Sequence, residues 1–404
     1  MTHHLADKNY ITFFENYAET EIVFGEAPFT ALSEKLLVNR QTATAVIFGG
    51  TKSSVSNGAY AEFFKMALSL DLNSPIFRDV PPEPDFECVR NIVAFLEENQ
   101  PEIVLAIGGG SVMDAAKAAC LAWQCRMDPR ELVGVNKASE KFPGQKFKRV
   151  VCVPTTAGTG SEVTPYANIV DAESNVKYII CEKQIIPELA LISPDFSVSM
   201  PQDLTISTAL DAMTHALESF LNIKAESRNP EVENYAISAV KQIVYALPKV
   251  LKNPSDHLAR EILAAAATLG GMAITNRPTS LPHLCSYSVT GKIPHGLAVA
   301  LLLCPCWKYY LSEPAIQEQT MKLAGLFPSA ERQDDPQKVI AACECFIEQV
   351  CGMKSLREHP ALTPELIEKI AAESVLNPVK LATAPKEVPA DQARQIIHAI
   401  LSGN

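Results

Sequence analysis

The chain has no CxxC pair among its eleven cysteines, no apolar stretch behind its first residues, and no excess of positive charge. Each absence excludes something. Zinc ribbons and fingers need cysteine pairs two to four residues apart with matching partners. Only two CxC pairs occur, Cys304/Cys306 and Cys343/Cys345, both in apolar stretches, which read as reduced and mostly buried thiols. The opening MTHHLADKNY lacks the apolar region of a secretory signal. The longest apolar run, 297–307, is too short for the ~20 residues a bilayer requires. With 46 acidic against 35 basic residues the formal charge is −11, which argues against a surface built to wrap nucleic acid or lie on anionic lipid. A soluble, cytoplasmic protein with no nucleic-acid or membrane partner is the expectation. The balance leaves room for a local phosphate pocket.

What is present is an ordinary globular composition over 404 residues, enough for two or three domains at roughly 100–200 residues each. Two textures divide the chain. Up to about Ser193, short apolar runs (43–48, 103–107, 150–153 and 189–192) alternate with helical patterns such as 58–70 and 86–99. That alternation predicts βαβ units and a mostly parallel sheet, and the unbroken apolar IVLAI fits a sheet covered on both faces. After Pro201, helical windows take over: 206–220, 232–251, 259–274, 337–350 and 363–375. The fold class expected is α/β plus all-α: a Rossmann-like parallel-sheet domain over 1–196, then an all-helical domain over 197–404. Residues 325–335 and 376–389 read as loops.

Two loops in the first half carry chemistry. In IVLAIGGGSVMDAAK, a buried strand runs into Gly108, Gly109, Gly110 and Ser111 and then a helix. Glycines allow close backbone approach, and a helix N-terminus offers free N–H groups and the positive end of its dipole to a phosphate. Ser111 could cap that helix or donate to a phosphate oxygen. The pattern is not GxGxxG. In VVCVPTTAGTGSEVT, a second strand ends in Thr155, Thr156, Gly158, Thr159, Gly160 and Ser161, placing hydroxyls and glycines beyond a strand's carboxyl end. Lys177, after the turn at 171–175, could reach the same ligand.

In the helical half, Asp211 and His215 in TALDAMTHALESF stand four apart, so both leave one helix face. His283 in TSLPHLCSYS and His295 in KIPHGLAVA complete one carboxylate and three imidazoles, a set suited to Fe(II), Zn(II) or a similar ion. Taken singly, each histidine is more often a core or surface residue.

Taken together and in order, AIGGGSVMDAAKA, VPTTAGTGSEVT, LISPDFSVSMP, TALDAMTHALES and IPHGLAVALLLCP resemble the iron-containing, group III alcohol dehydrogenase family, within the dehydroquinate-synthase-like fold. The resemblance covers nearly the whole chain. It implies a dinucleotide-binding domain, a helical metal domain and an active site in the cleft between them. It implies that Gly109, Gly110 and Ser111 hold the cofactor pyrophosphate with Asp114 just behind. Thr155, Thr156, Thr159 and Lys177 would line the nucleotide and nicotinamide. Asp211, His215, His283 and His295 would bind a divalent metal, Fe2+ first and Zn2+ as an alternative. The activity implied is hydride transfer between nicotinamide C4 and a small alcohol or aldehyde, in a homodimer or higher homo-oligomer.

Three departures from the family pattern stand out. The interval from His283 to His295 is 295 − 283 = 12 residues. Better-known members have 14, so a two-residue deletion falls within SYSVTGK. Many members carry a further histidine where this chain has Tyr287, so Tyr287 or water would relay a proton. Where NAD-using members often have an acid after the second strand, AVIFGGTKSS places Gly50. Losing that carboxylate removes repulsion toward a 2′-phosphate, which Thr51, Lys52, Ser53 and Ser54 could then bind, so NADP is preferred to NAD. The stretch NRPTSLPHLCSYS resembles a subgroup acting on small phosphonate-bearing alcohols or aldehydes, and Arg277 could pair with such an anionic tail. The alternatives are a metal-free relative of the maleylacetate-reductase kind and a lyase of the dehydroquinate-synthase kind.

Overall fold

Runs of β-branched and aliphatic residues form nine strands among the described residues: β1 (Glu21–Phe24), β2 (Thr44–Gly49), β3 (Ile76–Val80), β4 (Ile103–Gly108), β5 (Gly134–Val135), β6 (Val151–Pro154), β7 (Tyr166–Asp171), β8 (Val176–Cys181) and β9 (Leu189–Ile192). They belong to a computed structural model that describes residues 9–25, 27–39, 44–49, 56–225 and 229–403. Six strands make one parallel sheet in the order β1-β9-β6-β4-β2-β3. The remaining three form a small sheet, β5-β8-β7, around a hairpin that the apolar-run reading passed over.

The chain divides into two compact units, one holding the described residues up to Pro201 together with Pro254–Ala264, the other holding Gln202–Asn253 and everything from Ala265 onward. In the first, helices α1 (Asn9–Glu15), α2 (Pro28–Asn39), α3 (Ala59–Ser69), α4 (Phe86–Asn99), α5 (Gly110–Cys125) and α6 (Lys137–Lys141) accompany the strands. Alternate residues of β4 enter opposite cores. Val104 and Ala106 pack with α4 and α5, while Leu105 and Ile107 pack with Phe29, Leu32, Phe63 and Met66. This two-sided burial is why the strand is apolar without interruption.

Successive strands first run outward, β2 to β3, and then return past β2 to β4, β6 and β9. The winding therefore reverses between β2 and β4. Ligands of open α/β sheets bind beyond the strand ends at such a reversal. Gly49 ends β2 and Gly108 ends β4 at that place.

The second unit is helical: α7 (Gln202–Leu221), α8 (Val232–Lys252), the later part of α9 (His257–Asn276), α10 (Leu281–Ser286), α11 (His295–Tyr310), α12 (Pro314–Met321), α13 (Pro336–Cys351), α14 (Pro364–Ser374), α15 (Pro378–Leu381) and α16 (Ala393–Ser402). No described residue after Ile192 is in a strand. Among the described residues one helix, α9, is long and apolar enough to cross a membrane, and 83% of that window is buried inside the protein. All eleven cysteines are free.

Candidate active site

The glycine loop follows directly from β4. Gly109 is the N-cap of α5, and no side chain caps the helix, so the leading N–H groups are left for other acceptors. Ser111 is therefore not the cap. Its Oγ accepts from the Glu83 backbone N–H at 3.1 Å, which leaves its own hydrogen to donate elsewhere.

The second loop lies against the first. Thr155 N–H donates to the Gly108 carbonyl at 3.0 Å. A Cβ on Gly109 would stand 3.2 Å from Thr156 Cγ2, and one on Gly110 would stand 2.5 Å from Thr159 Cγ2. Thr159 thus leaves no room for a side chain at position 110, and Thr156 leaves little at position 109.

Asp114 ties the loops together. Its Oδ1 accepts from Ser161 Oγ at 2.5 Å, and its Oδ2 accepts from the Asn168 N–H at 2.9 Å. Lys117 lies 3.5 Å from Oδ1 and donates to the carbonyls of Ser161 and Thr164 at 2.9 and 3.3 Å. The Lys117 side chain is fully buried. Both Asp114 oxygens are thus engaged within the protein, behind the glycine loop. Lys177, on β8, pairs with Glu83 at 3.1 Å and is mostly buried. Since Glu83 also donates to Ser111, the lysine is joined to the glycine loop through that residue. Gly50, Thr51, Lys52, Ser53 and Ser54 lie outside the described residues.

In the helical unit, α7 supplies Asp211 and His215, α10 supplies His283 and α11 begins with His295. Asp211 Oδ1 is 3.6 Å from His215 Nε2, 3.6 Å from His283 Nε2 and 3.7 Å from His295 Nε2. Potential ligand atoms of Asp211, His215 and His283 all lie within 4.8 Å of one another. The rings of His215 and His283 stack at 4.7 Å, and His295 meets His283 edge-on at 5.4 Å. The Asp211, His215 and His283 side chains are almost fully buried, whereas His295 is 29% exposed, so the cluster opens on the His295 side.

Helix crossing makes this convergence possible. A Cβ on Gly296 would collide with the Ser207 carbonyl oxygen, and one on Gly270 would stand 3.0 Å from the Ala212 carbonyl oxygen. Glycine at both places lets α11 and α9 approach α7 beside the site.

Burial and charge oppose each other here. Burial would raise the Asp211 pKa, but the surrounding imidazoles hold the carboxyl well below the usual carboxylate range. Burial lowers His215 to about 4 against the pull of Asp211, so its imidazole is neutral at pH 7. Burial also works against a charged His283, yet Glu218 and Asp211 raise it.

The residues fit a divalent ion. Asp211 Oδ1 and His283 Nε2 are buried with no hydrogen-bond partner, which ordinarily costs ~1–3 kcal/mol each. Their 3.6 Å separation is close to the ~3.4 Å edge of a tetrahedron with ~2.1 Å bonds. One carboxylate and neutral imidazoles are donors for a borderline cation.

One residue escaped the sequence reading. Glu218, three residues after His215, accepts from His283 Nδ1 and from Ser280 N–H at 2.6 Å. The signal was its spacing: 211, 215 and 218 fall on one face of a helix. Tyr287 is half-buried and opens the 3-10 turn after α10. Arg277, at the end of α9, pairs with Glu233 at 3.5 Å, and its Nε is buried without a partner.

A doubly wound parallel sheet with an uncapped glycine-loop helix, and a helical unit with a buried Asp–His cluster, define a nucleotide-binding type of enzyme fold joined to a metal-type site. Comparison with known proteins sharpens this. Residues 19–194 match the family model described as iron-containing alcohol dehydrogenase, and residues 205–401 match that of the Fe-containing alcohol dehydrogenase family, C-terminal. The chain belongs to the iron-containing alcohol dehydrogenase family and is an oxidoreductase. It is 30% identical over 348 residues to 1-propanol dehydrogenase PduQ of Salmonella typhimurium, covering 83% of this chain and 87% of that protein. An iron-containing alcohol dehydrogenase from Thermotoga maritima superposes with a TM-score of 0.79 at 27% identity, over 96% of this chain and 99% of the other. A sulfoacetaldehyde reductase from Bifidobacterium kashiwanohense, solved with NAD+, superposes with a TM-score of 0.77 at 25% identity, again over 96% and 99%.

Proposed function

We propose that this chain is a metal-dependent, NAD(P)-linked alcohol dehydrogenase or aldehyde reductase for small substrates, including ones with an anionic, phosphonate-like tail. The observation that carries the metal is a single oxygen, Asp211 Oδ1, standing 3.6–3.7 Å from three imidazole nitrogens while lacking a hydrogen-bond partner. Asp211, His215, His283 and His295 would hold the ion, with Fe2+ favoured and Zn2+ possible. When bound, the ion would supply Lewis acidity toward the substrate oxygen, and the nicotinamide would supply or accept hydride at C4.

The rest is done by this chain's own groups. Gly109, Gly110 and Ser111 present backbone N–H groups, a hydroxyl hydrogen and the α5 dipole to the pyrophosphate. Thr155, Thr156 and Thr159 border the same ground from the second loop. Asp114 and Lys177 act from behind, holding the second loop and Glu83. His295, the more open member of the cluster, marks the substrate side, and Tyr287 or water moves the hydroxyl proton. Gly50, Thr51 and Ser53, without an acid, favour NADP over NAD. Arg277, whose Nε is unpartnered, would meet the anionic tail. The functional domains we infer are 1–196 for the dinucleotide and 197–404 for the metal, in a cytoplasmic homodimer or higher homo-oligomer.

The test is NADPH and NADH oxidation with propionaldehyde and with phosphonate- and sulfonate-tailed aldehydes, before and after chelation and refilling with Fe2+ or Zn2+. Turnover restored by an ion supports the reading; no turnover under any refill overturns it. A lyase would show no net cofactor turnover. A metal-free relative would be indifferent to chelation, and the buried Asp211 cluster weighs against it.

A further inference from the structure

We infer that Glu218 is a positioning residue of the metal site: it takes the Nδ1 hydrogen of His283 and so leaves Nε2 as the lone-pair donor beside Asp211. The inference rests on the metal reading above.

A neutral imidazole has one N–H, and a carboxylate can only accept. In the neutral ring that a metal requires, Glu218 Oε2 against Nδ1 keeps the one hydrogen on Nδ1 and leaves Nε2 bare. That Nε2 is the buried atom with no hydrogen-bond partner, 3.6 Å from Asp211 Oδ1.

The carboxylate is itself fixed. Its Oε1 accepts from Ser280 N–H at 2.6 Å and from Ser280 Oγ at 3.1 Å, and Ser280 Oγ lies 3.2 Å from the Tyr310 hydroxyl. Glu218 and Ser280 are fully buried. One side chain of α7 therefore grips both the residue that begins α10 and the ring that α10 carries. Three residues of α7, at 211, 215 and 218, then act on one point: two as ligands, the third by aiming a ligand borne on another helix. The grip falls before His283, while the two-residue shortening expected in SYSVTGK falls after it, so the shortening leaves the hold on His283 intact. Outer partners of this kind commonly contribute ~10–100-fold in metal affinity.

The experiment measures Zn2+ and Co2+ affinity of the full chain by chelator competition, with the Co2+ ligand-field spectrum as a second readout. Glu218→Ala is expected to raise the metal Kd by ~10–100-fold and to shift the Co2+ bands. Glu218→Gln, which keeps the shape and one acceptor oxygen, is expected to weaken binding less, and it carries the test should the alanine variant not fold. NADPH affinity is expected to match the parent in both. Parent-like Kd and spectrum in Glu218→Gln and Glu218→Ala, alongside metal loss in Asp211→Ala, would overturn this inference alone. A parent chain that binds neither ion would overturn the metal reading and this one with it.

Discussion

Gly296 rests directly on Ser207: a Cβ added at Gly296 would stand 1.9 Å from the Ser207 carbonyl oxygen and 2.9 Å from Asp211 Cβ. Neither neighbour is the mobile end of a side chain, so an added methyl must push α11 from α7. Gly296→Ala is expected to destabilise the protein by at least the ~1–3 kcal/mol typical of overpacking. Because His295 and Asp211 flank the contact, metal affinity should fall with it. Thermal unfolding and chelator competition on one preparation check this; a stable variant with parent-like affinity would refute it.

Removing the metal should cost stability as well as activity. Buried Asp211 Oδ1 and His283 Nε2 have no hydrogen-bond partner within the protein to take an ion's place after chelation. An ion at 100 times its Kd stabilises by ~2.7 kcal/mol, so chelation should lower Tm by several degrees without abolishing the folding transition. Calorimetry with and without refilling measures it. In His283→Ala the difference between chelated and refilled samples should vanish.

The Asp114–Lys117 pair makes a different prediction. Asp114→Ala leaves the Lys117 ammonium buried among carbonyls and removes the tie to Ser161 and Asn168. Breaking a buried pair in this way costs ~3–5 kcal/mol. Cofactor affinity should fall in step, since Thr159 and its neighbours lose their anchor. Asp114→Ala combined with Lys117→Met should cost less than the sum of the two single changes, which a double-mutant cycle by denaturant unfolding will measure.

Thiol reactivity follows from burial. Burial pushes the Cys120 and Cys285 thiols up to about 12, and Cys88 up to about 11. A raised pKa means that the reactive thiolate is scarce at pH 8. Iodoacetamide at that pH should modify exposed Cys345 first and leave Cys120 and Cys285 untouched until the protein unfolds, as peptide mass spectrometry can follow.

Much of this was legible beforehand because it is local. Continuous apolar runs mark strands buried on both faces, and β4, β6 and β9 are of that kind. Helix periodicity placed Asp211 and His215 on one face. β1, β3, β5 and the β7–β8 hairpin were missed because they are short or unevenly buried, so no clean run or alternation announced them. Arrangements between distant segments left no local mark. Nothing in spacing brings His283 and His295 to Asp211; residue type suggested the grouping, and the family resemblance gave it its weight. The turn of Asp114 toward Asn168, and of Lys177 toward Glu83, depends on side-chain direction, which sequence order does not encode.

The contact of Gly109 with Thr156 and of Gly110 with Thr159 has a consequence for recombination. The paired positions are 156 − 109 = 47 and 159 − 110 = 49 residues apart in sequence, yet each loop leaves room for atoms of the other. A chimaera that imports one loop from a relative inherits half of a matched pair. Bulkier residues in the first loop would require smaller ones in the second, so the loops should exchange among relatives as a couple.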